Sequence, residues 1–124
     1  MPNDWARFCK ARDLSVTGDV IAVSFHDGRS HQVRVAEESD GWRLTAVVAR
    51  AGDLGNVAAP ALKAWERNQS MRLAGFRIDE RGRLVGEELV PGAGMTAEEF
   101  QTYVRALAAE CDRFEYLLTG RDVE

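Results

Sequence analysis

The chain has 124 residues, 45% of them hydrophobic and 29% charged, which is the size and make-up of one compact domain, 1–124, with its own core. Twenty Asp and Glu against sixteen Lys and Arg give a formal net charge of −4, the wrong sign for a surface that neutralises phosphates, so nucleic acid is not an expected partner. No stretch nears the roughly 18 apolar residues of a membrane span, and the start lacks the pattern of a signal peptide. Two cysteines make neither a disulfide framework nor a ligand ladder. Together these features predict a soluble, cytoplasmic protein with no membrane partner.

Trp5, Phe8 and Cys9 fall at i, i+3 and i+4, one face of a short helix over residues 5–12, with Asn3 or Asp4 as N-cap. From Val20 the period becomes two: Ile21, Val23 and Phe25 alternate with Ala22, Ser24 and His26, as in a half-buried strand. Asp27-Gly28 supplies the positive φ of a hairpin turn. The return strand carries Val33 and Val35 on one face and Gln32 and Arg34 on the other. After the polar turn Glu37–Gly41, a third strand places Trp42, Leu44, Ala46 and Val48 on one face. The three strands form a meander.

Residues 50–56, with two glycines, read as a loop. Ala61, Leu62 and Trp65 then take helical spacing, and Pro60 suits a first turn, so a second helix is placed near 57–69. Residues 71–78 and 84–90 form a second hairpin about Asp79–Gly82, and Pro91–Gly94 is a loop. Thr96-Ala97-Glu98-Glu99 is a capping box. Behind it Phe100, Val104, Leu107, Cys111, Phe114 and Leu118 make the stripe of a helix over 96–119, with Gly120 as its C′ residue. The expected fold is a single α+β domain, α-β-β-β-α-β-β-α, with a five-stranded antiparallel sheet packed by helices.

Trp42-Arg43-Leu44, a middle helix ending at Asn68, the hairpin Gly75-Phe76-x-Ile78-Asp79-x-x-Gly82-x-Leu84 and the opening Met95-Thr96-x-Glu98-Glu99 resemble the type III secretion chaperone fold over about residues 8–118. Within that superfamily the chain is similar to the bacterial YbjN-like proteins. The resemblance implies a small acidic cytoplasmic protein that is not an enzyme, pairs as a homodimer and binds a segment of a bacterial protein partner. Secretion chaperones use a longer first helix for their clients, so the short one here favours a YbjN-like adaptor. The family's habit of pairing through the middle helix points to Leu62, Trp65 and Leu73 as the dimer interface. Trp5 and Phe8, on the first helix, are the expected partner-binding residues.

Other chemistry is thinly represented. His26 and His31 bracket the Asp27-Gly28 turn, with Asp27 or Asp19 as a conceivable third ligand, but zinc wants three or four ligands, and a two-residue turn would pair Ser24 with His31 and leave the histidines at a solvated hairpin end. No metal, cofactor or catalytic residue is therefore expected. Cys111 lies on the apolar stripe and Cys9 beside Trp5 and Phe8, which makes both inert buried thiols. Residues 50–56 lack the glycine pattern of a phosphate loop. The pairs Glu37-Glu38, Glu87-Glu88 and Glu98-Glu99 read as solvated charge. Two other functions fit less well: an immunity or regulatory protein of a toxin or defence system, and a metal-dependent enzyme built on the His26/His31 hairpin.

Overall fold

The computed structural model describes residues 4–55, 57, 59–61, 63–64 and 75–119. Six strands form one antiparallel sheet: β1 (Leu14–Thr17), β2 (Val20–Ser24), β3 (Ser30–Glu38), β4 (Gly41–Ala49), β5 (Gly75–Ile78) and β6 (Leu84–Pro91). Their order across the sheet is β1-β2-β3-β4-β6-β5. One face is covered by the long helix α2 (Ala97–Thr119) and by a 3-10 turn at Asp4–Phe8; a single helical turn, α1 (Ala51–Leu54), follows β4.

The sheet thus has six strands where five were expected. The added strand is β1, whose four residues pair with β2 from Leu14↔Val23 to Thr17↔Val20. Gly18-Asp19 makes the two-residue connection, and Gly18 has φ +61°, the positive value that a type II′ turn requires at its first central position. The first segment also differs from expectation. Residues 9–13 leave the helix to feed β1, so only the 3-10 turn forms. In the middle region residues 60, 61, 63 and 64 are helical, and the Lys63 amide donates to the Ala59 carbonyl at 3.0 Å. Val57 and Ala59, the latter with φ +48°, are not helical, so the expected helix starts no earlier than Pro60; the rest of it, the start of the strand at 71–74 and the cap at Gly120 lie outside the described residues.

The β2–β3 and β5–β6 hairpins have the same kind of turn. In each, two hydrogen bonds close the loop: Phe25 N–H to Arg29 O and Gly28 N–H to Phe25 O in one, Asp79 N–H to Arg83 O and Gly82 N–H to Asp79 O in the other. A glycine of positive φ (Gly28 +87°, Gly82 +78°) ends the turn. This is the three-residue loop with a bulge, one residue longer than the predicted two-residue turn. The extra residue resets the register, so that His31 stands opposite Val23 instead of Ser24. Because side chains alternate, a one-residue slip exchanges faces. His31 therefore points inward and is 1% exposed, which corrects the expectation of a solvated histidine.

The core lies between the inner face of the sheet and α2. Phe100, Val104, Leu107, Ala108, Cys111 and Phe114 from the helix meet Ile21, Val33, Val35, Leu44, Ala46, Val48 and Leu84 from the strands. Thr96 caps the helix by accepting the Glu99 amide at 3.2 Å, and its hydroxyl donates to the Glu99 carboxylate at 3.3 Å. At the helix start, four rings interlock. Trp5 stacks on Phe100 (6.3 Å between centroids), while Phe8 and Trp42 each approach Phe100 at 5.5 Å. The Gln101 side-chain amide donates to the Phe8 carbonyl at 2.7 Å and completes the attachment.

Candidate protein-binding surface

Beside the covered core, two features are open to a partner. The first is the edge of the sheet at β1, which among the described residues pairs only with β2. The Ser24 amide donates to the Asp13 carbonyl, so residues 13 and 24 form a hydrogen-bonded pair. By the alternation of antiparallel ladders, Ser15 and Thr17 also bond inward to β2, and the backbone N–H and C=O of Val16 point to the free edge. Ser15, Val16 and Thr17 are all exposed. Unpaired edge groups of this kind are a template for another strand.

The second feature is a groove between the β2–β3 hairpin and the outer flank of α2. Two adjoining hollows of about 660 and 540 Å³ share Phe25, His26 and Ala109. Tyr116, which is 55% exposed, extends the apolar lining at one end. Arg12, Arg29, Arg105 and Arg113 also line it, a local concentration of basic groups on an acidic chain. Three of the groove's carboxylates are engaged by these arginines. Arg105 binds Asp13 through two hydrogen bonds of 2.8 Å, which hold the Asp13 carboxyl below its ordinary range and raise the guanidinium. Arg29 reaches Asp27 at 2.6 Å and Asp112 at 2.9 Å.

The outer face of the sheet is different in character. Arg43 pairs with Glu38 (3.3 Å) and Glu87 (3.0 Å), and Arg77 joins Glu87 at 3.0 Å. Leu89, 64% exposed and opposite Arg43, offers a large apolar group there, whereas Ile78 (37%) stands opposite the buried Leu84 on the core side. The neighbouring Glu88 faces inward opposite Leu44 and is buried, and Glu87 is 19% exposed between two arginines, so the 87–88 pair is not simply solvated charge. Burial pushes the Glu88 carboxyl up to about 7.

The residues singled out from the sequence fall in three groups. Trp5 and Phe8 sit in the ring cluster, 1% and 8% exposed, and present no surface in this arrangement. Leu62, Trp65 and Leu73 lie outside the described residues. His26 is exposed in the groove, while His31 is buried beneath it, so the two histidines do not converge. Cys9 and Cys111 are buried free thiols; desolvation pushes Cys9 up to about 11 and raises Cys111 as well. Sequence reasoning missed Asp112 and Glu115, both buried on α2. Each stands four residues after a core position, Ala108 and Cys111, and that spacing was the available signal.

The antiparallel sheet backed by one long helix has counterparts among solved structures. The structure is similar to a chain of the heterodimeric complex ExoU-SpcU from the type III secretion system of Pseudomonas aeruginosa, with TM-score 0.64 and 14% identity over 98% of this chain and 100% of that one. It is also similar to a chain of the ExsC-ExsE complex, with TM-score 0.63 and 15% identity over 96% of each. At the level of sequence, residues 6–118 match the YbjN family, "Putative bacterial sensory transduction regulator", and the chain belongs to that family. No curated protein matches it.

Proposed function

We propose that the protein is a non-catalytic, homodimeric adaptor that binds an extended segment of a partner protein in the bacterial cytoplasm. The segment adds to β1 as a further strand and seats side chains in the groove between β2 and α2. Main-chain bonds to Val16 supply affinity, and the groove selects side chains. The arginine-lined rim favours acidic groups and acts on selectivity more than on affinity. The observation that carries this reading is the exposed β1 edge, free among the described residues, lying beside an apolar-floored groove. The similar chains, each solved as part of a two-protein complex, support it. The family description supports a regulatory partner.

Pairing of two copies through the middle helix, with Leu62, Trp65 and Leu73, belongs to the same proposal. Trp5 and Phe8 would contact a partner only after leaving the ring cluster. The test is affinity capture from the native host using the wild type and Val16→Pro, with mass spectrometry and light scattering of the eluate. Proline removes an outward N–H without breaking a β1–β2 bond, so the fold is retained. A partner held by a dimer of the wild type and lost with Val16→Pro is the expected result. A monomer, or a partner held equally by both chains, overturns the corresponding part of the proposal.

A further inference from the structure

His31, Asp112 and Glu115 come together beneath the groove, on the inner side of β3 and α2. One ligand atom from each lies within 4.8 Å of the others, and all three residues are buried. The imidazole is oriented by its second nitrogen: Nε2 stands 2.7 Å from the Val47 carbonyl oxygen, which can only accept, so Nε2 carries a proton and donates. In the neutral ring, Nδ1 is then a lone-pair donor directed into the cluster. Asp112 Oδ1 is 3.8 Å away, and neither atom has a hydrogen-bond partner among the described residues.

A gap of 3.8 Å is too long for one proton to bridge. It is close to the separation of two ligand atoms bound to one ion, about 3.4 Å for tetrahedral bonds of 2.0–2.1 Å. A metal-binding histidine characteristically donates its other N–H to a backbone carbonyl or carboxylate, and the Val47 contact is that arrangement. We infer that His31 Nδ1, Asp112 and Glu115 form a site for a divalent ion of the zinc class. One nitrogen and two carboxylates suit such an ion better than magnesium or calcium, which take oxygen ligands. The site has an access route. Asp112 lines the groove, and Arg29, 35% exposed there, covers it through the 2.9 Å contact to the other Asp112 oxygen. An ion would link β3 to α2 directly under the groove of the proposed partner surface, although the inference does not depend on partner binding.

The test is titration of the intact wild-type protein with Co²⁺ and Zn²⁺. Cobalt absorption in the visible and metal analysis after gel filtration give occupancy, and ¹⁵N NMR of the imidazoles reports the ligating nitrogen. The expected result is one equivalent per chain, with zinc shifting the Nδ1 resonance of His31. Asp112→Asn, nearly isosteric, should weaken uptake at least ~10-fold, while His26→Ala leaves it unchanged. No uptake by the wild type overturns the inference. So does uptake that survives Asp112→Asn at full strength or disappears with His26→Ala.

Discussion

The Sγ atom of Cys111 lies so near the place where a Cβ on Gly86 would be that the two would clash. A methyl at position 86 would also crowd Phe76 (3.1 Å) and Leu107 (3.2 Å), so α2 and β6 are in close contact at this pair. Cys111 is wholly buried, and its thiol faces the Ala46 carbonyl at 3.9 Å. The glycine and the small sulfur side chain are two halves of one fit.

Gly86→Ala should therefore destabilise the fold by about 1–3 kcal/mol through overpacking. Adding Cys111→Ala makes room for the new methyl. The double variant should recover part of the loss, giving a coupling of about 1 kcal/mol or more in a denaturation cycle. Simple additivity of the two changes would show that the helix shifts away instead.

Glu88 gives a pH dependence of known sign. The folded state binds its proton more tightly than the unfolded chain, since burial raises the carboxyl from 4.5 to about 7. Its contribution to stability is therefore greatest below about 4.5, falls as pH rises to about 7, and is level above that. Glu88→Gln should remove this slope and stabilise the protein by roughly 1–3 kcal/mol at pH 8. Urea titrations of both chains at pH 5 and pH 8 measure it, and the difference between the chains isolates this group.

The ring cluster should carry a large share of stability. Trp5→Ala removes a fully buried indole stacked on Phe100 and should cost about 3–5 kcal/mol. Unfolding followed by circular dichroism measures that cost. If the change is nearly neutral, the segment 4–8 is not docked in solution.

Both thiols should be silent in the native state. Cys9 is 5% exposed and Cys111 fully buried. An aromatic disulfide reagent should label neither at pH 8 over minutes, and both at once in denaturant. Rapid native labelling of Cys9 alone would indicate local opening of the first segment.

Much of the fold was legible because the sequence states it in local terms. The capping box at Thr96, the stripe on α2 and the alternation in β3 and β4 each depend on neighbouring residues only. The face occupied by His31 was legible in the same way, for it alternates in step with Val33 and Val35. What misplaced it was a single residue of turn length, which has no strong local signature beside Asp27-Gly28. Strand β1 was missed although Thr17-Gly18-Asp19-Val20 fits a two-residue hairpin, since four residues show little periodicity. Asp112 and Glu115 were hidden by their chemistry: a reading that follows apolar letters steps over carboxylates on a buried stripe. The groove and the free edge depend on which elements meet, and no local pattern reports that.

The attachment of residues 5–8 to Phe100 and Gln101 joins positions more than ninety apart, as does the Asp13–Arg105 pair. During synthesis the chain emerges from its amino end, so the meander can pair long before α2 exists to cover it. Ile21, Val33, Leu44 and Val48 then face solvent, or each other, until the final helix arrives. The last quarter of the chain acts as the closing step of folding, and a newborn molecule stalled before residue 97 would expose a sticky sheet to its neighbours and to the cell's folding machinery.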